Sequence, residues 1–158
     1  MTIRSRNNIQ KSISIPSRYD ATARARIGEL MVQQIRKRTA SGVSVNGTAF
    51  KYAKNSTHKG DNLTDSGDMM IQLDVLDTRT GAITIGYEDT SSLEANQAEG
   101  NSIGSYGGRP NASIAKPFIG VSNDELDLIL SQFDQEAPTP RDDDVESFIA
   151  SILNNQGL

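Results

Sequence analysis

Ala115-Lys116-Pro117-Phe118-Ile119-Gly120-Val121-Ser122-Asn123-Asp124-Glu125 is the stretch whose reading decides the fold. Pro117 has a fixed φ and no N–H, and it pushes Lys116 toward extended geometry. Phe118, Ile119 and Val121 form a short apolar run interrupted by Gly120, where a bulky side chain would crowd an approaching element. Ser122 and Glu125 have the S-x-x-E spacing of a capping box, in which each side chain satisfies an orphan amide at a helix start. Leu126, Ile129, Leu130 and Phe133 then recur at i, i+3, i+4 and i+7, one face of a helix. The stretch therefore predicts an extended segment that turns at once into an amphipathic helix.

Working toward the N-terminus, the spacing predicts a small polar helix over 91–100 ending at Gly100, then a long Gly-rich loop over 101–114. Gly104-Ser105-Tyr106-Gly107-Gly108 lacks the Lys-[Ser/Thr] and the preceding strand of a phosphate loop. Before it the period is two: Leu73 and Val75, then Ile83, Ile85 and Tyr87 after Asp77-Thr78-Arg79-Thr80-Gly81, a β-hairpin around a Gly-containing loop. Asp65 or Ser66 is placed to cap a short helix of about two turns. Asp65 and Asp68 share a face, but the other oxygen ligands of a calcium loop are missing.

Residues 42–62 read as a loop with an Asn46-Gly47 turn signal. It carries Lys51, Lys54, Lys59 and the single histidine, His58, which reads as a surface residue. A strong helix is expected over 20–40. Ala23, Ile27, Leu30, Met31 and Ile35 share one face of it, Arg36, Lys37 and Arg38 favour the negative end of its dipole, and Gly42 is the stop. Ser12-Ile13-Ser14-Ile15 alternates as an edge strand or an ordered arm would.

On the far side of the deciding stretch, Pro138 and Pro140 mark a linker. Asp142-Asp143-Asp144 then opens a last helix, with the acids at its positive end. Val145, Phe148, Ile149, Ile152 and Leu153 fall at i, i+3, i+4, i+7 and i+8 of that helix. The organisation is thus a main body over 1–136 with a basic N-terminal arm, followed by a linker and amphipathic helix over 137–158. The fold class is α+β: a small, mostly antiparallel sheet flanked by helices, with a C-terminal helical extension.

Composition narrows the function. The 158 residues contain no Cys and no Trp, with four Phe and four Tyr, so the core is aliphatic and disulfides and thiolate metal sites are excluded. No apolar run approaches the ~20 residues a bilayer needs, and the first residues lack the apolar core of a signal peptide, so four N-x-[Ser/Thr] matches read as chance. The net charge of −4 hides a split. Residues 1–60 carry twelve Lys/Arg against two acids, a balance of +10, and residues 61–158 carry four against eighteen, a balance of −14. Segregated charge speaks to partners rather than to fold. No nucleophile–base–acid set can be assembled, and no cofactor or metal is expected.

Three features in order carry a resemblance: Leu63-Thr64-Asp65-Ser66-Gly67 ahead of a hairpin, the small helix from Ala95 to Gly100, and Ala115-Lys116-Pro117-Phe118-Ile119-Gly120-Val121-Ser122 ahead of a capped helix. Together, over residues 20–133, they resemble the tail-completion and virion-morphogenesis proteins of long-tailed bacteriophages. The chain has Lys116 where that family usually has Arg, and Glu94-Ala95-Asn96-Gln97 lacks the family's Tyr and His.

The resemblance implies a structural virion protein and not an enzyme. It implies a homo-oligomeric ring, six copies being usual, at the head–tail junction or the head-proximal end of the tail tube. Its neighbours would be neck, connector and tail-tube proteins, and genomic DNA would pass through the lumen without sequence-specific binding. The protein would assemble in the host cytoplasm and reside in the virion, with no membrane involved. On that reading Lys116, Phe118, Val145, Phe148, Ile149, Ile152 and Leu153 are candidates for assembly interfaces. Lys51, Lys54 and Lys59 are candidates for contacts with the lumen or with acidic partners. The alternative from another class is a nucleic-acid-binding module using the basic first 60 residues, although no groove-reading motif accompanies them. A small hydrolase ranks third.

Overall fold

A computed structural model describes residues 9–52, 56, 60, 62–63, 67–105 and 109–136. In chain order the elements are β1 (Gln10–Ser14), α1 (Ala21–Ala40), α2 (Asp68–Ile71), β2 (Asp74–Arg79), β3 (Ala82–Gly86), α3 (Leu93–Ile103) and α4 (Asn123–Glu136). A 3₁₀ turn at Ala112–Ile114 precedes the extended segment. The three strands form one antiparallel sheet in the order β1-β3-β2, so the fold is α+β.

The alternating patch near the N-terminus is an edge strand. It pairs with β3, Ile13 opposite Ile83 and Gln10 opposite Gly86. The pairing continues one residue further, where the Tyr87 N–H donates to the Ile9 carbonyl at 3.1 Å. Gly86 is required at this crossing, because a Cβ there would lie 2.0 Å from the Ile9 carbonyl oxygen.

The hairpin is tighter than the sequence suggested. β2 continues to Arg79, opposite Ala82, and only Thr80 and Gly81 turn the chain. A register shift between Val75 and Asp77 inserts one residue and resets the alternation, which made the end of β2 look like loop.

Helix α1 lies across one face of the sheet. Asp20 caps it, accepting from the Ala23 N–H at 2.8 Å, and Ile27, Leu30, Met31 and Ile35 are buried. The helix comes close because Gly28 has no side chain; a Cβ there would lie 2.8 Å from Val75 Cγ2 and 3.5 Å from Ile83 Cγ2. Helix α2 is shorter than expected, a single turn with Gly67 at its cap position and no side-chain cap bond. Asp65, Ser66 and His58 lie outside the described residues, as do the expected linker and helix over 137–158.

Helix α3 departs from the expectation at its end. Gly100 does not stop it; the helix runs to Ile103 and is closed by Gly104 at φ 74°. Gly100 serves a packing role instead. Its carbonyl accepts the Ser105 N–H at 2.8 Å, and a Cβ on it would meet the Ser105 carbonyl oxygen at 2.7 Å.

Candidate functional site

The deciding stretch is where the elements converge. Pro117 is followed by Phe118 and Ile119, both buried, with Phe118 fully enclosed. The segment is held on both sides by backbone hydrogen bonds: the Lys116 N–H donates to the Asn101 carbonyl at 2.7 Å and the Val45 N–H donates to the Pro117 carbonyl at 2.9 Å. The capping box that follows is reciprocal. The Ser122 N–H donates to Glu125 Oε1 at 2.9 Å, and the Glu125 N–H donates to Ser122 Oγ at 3.1 Å.

The part that the sequence reading missed is Arg38. It is buried rather than placed at the surface for the helix dipole. Its Nη1 donates to Glu125 Oε1 at 2.6 Å and to the Gly120 carbonyl at 3.1 Å, and its Nη2 donates to the Phe118 carbonyl. One guanidinium therefore fixes the extended segment and the start of α4 at once. Burial lowers the Arg38 pKa from its ordinary high value, and the Glu125 charge works against that. Burial pushes the Glu125 carboxyl up, but bonds from Gln34, the Ser122 N–H and Arg38 outweigh it, so the group sits below the usual carboxylate range. The signal was legible in the periodicity. Arg38 falls three residues after Ile35 and seven after Met31, on the apolar face of α1.

The same antiparallel helix pair is tied at its other end. Tyr19 packs edge-on against Phe133 at 5.6 Å and its hydroxyl donates to Asp134 Oδ1 at 3.1 Å, while Arg26 Nε donates to Glu136 Oε1 at 2.7 Å. Arg36 serves another junction, donating to the Met70, Ile71 and Leu73 carbonyls at 3.0 Å each. Those carbonyls end α2 and lead into β2.

Of the residues singled out for assembly, Phe118 and Lys116 are buried within the chain, 0% and 3% exposed. Side chains so enclosed position the segment within its own chain. Lys116 Nζ donates to the Ile114 carbonyl at 3.1 Å and lies 4.6 Å from the centroid of the Tyr52 ring; burial lowers its pKa. Lys51 is exposed, and Lys54, Lys59, Val145, Phe148, Ile149, Ile152 and Leu153 lie outside the described residues.

Large apolar side chains that do face outward are Ile71, Leu93 and Leu128. Ile71 lines a depression of about 250 Å³ together with Gln72, Asp74, Tyr87, Glu88, Asp89 and Ser92. Leu128 stands on the outer side of α4 beside exposed Asp124 and Asp127. Among the described residues no three acid or His side chains come together as a metal site, and no helix is long and apolar enough to cross a membrane.

Compared with known proteins, the chain matches no family model, no curated protein and no solved structure.

Proposed function

We propose that this chain is a structural subunit of a long-tailed phage particle, forming a closed homo-oligomeric ring, most simply of six copies, where the tail meets the head. The observation that carries the reading is the division of charge along the sequence, basic in residues 1–60 and acidic in the rest. Among the described residues, Lys11, Arg18, Arg36, Lys37 and Lys51 are exposed within residues 1–60 alongside Asp20 and Glu29, and Asp68, Asp74, Asp77, Glu88, Asp89, Asp124, Asp127, Asp134 and Glu136 are exposed in the rest alongside Arg79 and Arg109. A ring is built from heterologous contacts in which one surface of a subunit meets a different surface of the next, so opposite charges on one chain are complementary between copies. The buried segment 115–122, which carries the resemblance to tail-completion proteins, serves that reading as the rigid centre that holds these surfaces in fixed relation. Neck, connector and tail-tube proteins are the proposed neighbours, with DNA in the lumen held without sequence readout.

Native mass spectrometry across a concentration series at low salt tests this. A closed oligomer, expected at six copies and weakened by salt, supports the ring. Monomer at every concentration, alone and with each particle neighbour, overturns it. Monomer that binds DNA with a steep salt dependence transfers the assignment to a nucleic-acid-binding module.

A further inference from the structure

The two outer strands of the sheet end it in different ways. In β1 the ladder is anchored at both ends: the Ile9 carbonyl accepts the Tyr87 N–H at 3.1 Å, and the Ile15 N–H donates to the Gly81 carbonyl at 3.0 Å. Successive residues of a strand turn their backbone groups to opposite sides, so Lys11 and Ile13, which lie opposite Ile85 and Ile83, also turn theirs toward β3. Gln10, Ser12 and Ser14 turn theirs outward. Among the described residues nothing bonds those outward N–H and carbonyl groups.

The opposite edge is closed. The Val75 N–H is taken by Asp74 Oδ1 at 2.8 Å, the register shift between Val75 and Asp77 interrupts the strand, and Arg79 Nε donates to Asp77 Oδ2 at 2.8 Å. Bulges and charged side chains keep an edge from pairing. β1 has no bulge, since its five residues hold one register with β3.

The side chains of β1 say what kind of strand fits. Ser12 and Ser14 are short and exposed, and Lys11 and half-buried Ile13 share the other face. Lys11 is the one charged residue of the strand. It disfavours a second copy, because the antiparallel register that uses all three outward residues makes the two Lys11 side chains diagonal neighbours on one face. A strand with an acid opposite Lys11 meets no such cost.

We propose that β1 is a docking edge for an extended acidic segment of another protein, which joins the sheet as a fourth strand. It bonds the backbone of Gln10, Ser12 and Ser14, sets a carboxylate against Lys11 and lays an apolar side chain beside Ile13. The pairing is antiparallel, the more stable arrangement per residue. The ladder supplies affinity, and Lys11 supplies the choice of partner. The proposal concerns one edge of one chain and does not rest on ring formation.

Amide hydrogen exchange, read residue by residue in the full chain, tests it. The probe is the blocked peptide acetyl-Thr-Val-Thr-Glu-Thr-amide, which in antiparallel register sets its Glu opposite Lys11 and its Val opposite Ile13; the control peptide has Lys in place of Glu. At millimolar peptide and low salt, the Ser12 and Ser14 amides are expected to exchange severalfold more slowly with the Glu peptide and at an unchanged rate with the Lys peptide. Lys11→Glu is expected to reverse that preference. Ser12→Pro removes an N–H that β3 does not use, so it should keep Tm and abolish the slowing at Ser14; if it unfolds the chain, the charge reversal decides alone. Amides unmoved by the Glu peptide overturn the proposal. So does equal slowing by both peptides, a preference that Lys11→Glu does not reverse, or slowing that survives in a folded Ser12→Pro chain. Slowing that rises with protein concentration and needs no peptide also overturns it and assigns the edge to a second copy.

Discussion

Arg38 Nη1 and Glu125 Oε1 lie 2.6 Å apart, with the two side chains 7% and 15% exposed. The pair joins the last turn of α1 to the first turn of α4, and the same guanidinium also bonds the Phe118 and Gly120 carbonyls. Removing one member of a buried pair leaves an uncompensated charge, which costs about 3–5 kcal/mol. Arg38→Ala should therefore lower the denaturation midpoint more than Glu125→Gln, because it also strands two carbonyls. A double-mutant cycle should return a coupling energy above 1 kcal/mol. Additive single effects would mean that the pair is not a unit.

Glu125 also makes stability depend on acid. Its folded pKa is depressed below the ordinary 4.5, so the folded state holds fewer protons than the unfolded state where the two titrate. The contribution is fully present above the ordinary value and is lost as pH falls through the depressed one. Urea melts between pH 7 and pH 3 should show a fall in stability below about pH 5 that is shallower in Glu125→Gln. Identical slopes in the two proteins would remove Glu125 as a source of the acid sensitivity.

Phe118 is fully enclosed where the extended segment meets the core. Phe118→Ala should cost about 3–5 kcal/mol, a large fraction of an ordinary domain's stability, read as a fall in Tm. An unchanged Tm would mean that the segment is not the centre of the fold.

What the sequence revealed and what it hid divide along physical lines. Local signals were legible: the Ser122–Glu125 box, the α1 face from Ile27 to Ile35 and the antiparallel hairpin all depend on neighbours within a few residues. Non-local choices were not. Nothing in Gln10–Ser14 says that its partner is β3 rather than β2. The end of β2 was hidden by one inserted residue, and Arg38 was read by its charge when its position on the apolar face was the better guide. Of the residues singled out for assembly, the two that are described turned out enclosed. Apolar character and an unusual motif mark importance to the fold as readily as exposure to a partner.

Gly100 and Gly104 show the same limit at one helix end, since either glycine can stop a helix and only the packing chooses. Gly104 has φ 74°, and a Cβ there would stand 2.1 Å from the Asn111 carbonyl oxygen. Gly104→Ala should lose more than the roughly 1–2 kcal/mol of the left-handed conformation alone. Gly47 has a similar φ of 82° with no atom within 4 Å of such a Cβ, so Gly47→Ala should show the conformational part by itself. Equal losses in chemical denaturation would mean that the close approach at Asn111 relaxes freely.

The last expectation concerns residues 137–158. The apolar spacing there predicts a helix of about fourteen residues, a length marginal alone in water, so the predicted seam of Val145, Phe148, Ile149, Ile152 and Leu153 would need a surface to rest on. Cutting the chain after Glu136 keeps every described tie between α1 and α4, including Arg26 to Glu136 at 2.7 Å and Arg38 to Glu125 at 2.6 Å. An assembly arm that docks on a neighbour predicts that the shortened chain stays soluble, melts within a few degrees of the full chain and fails to form the ring or to join its partners. A seam folded back on its own subunit predicts the opposite pattern. The shortened chain would then lose its cooperative melt, because the core would be missing five apolar side chains. Native mass spectrometry and thermal melts on the same two samples separate the outcomes.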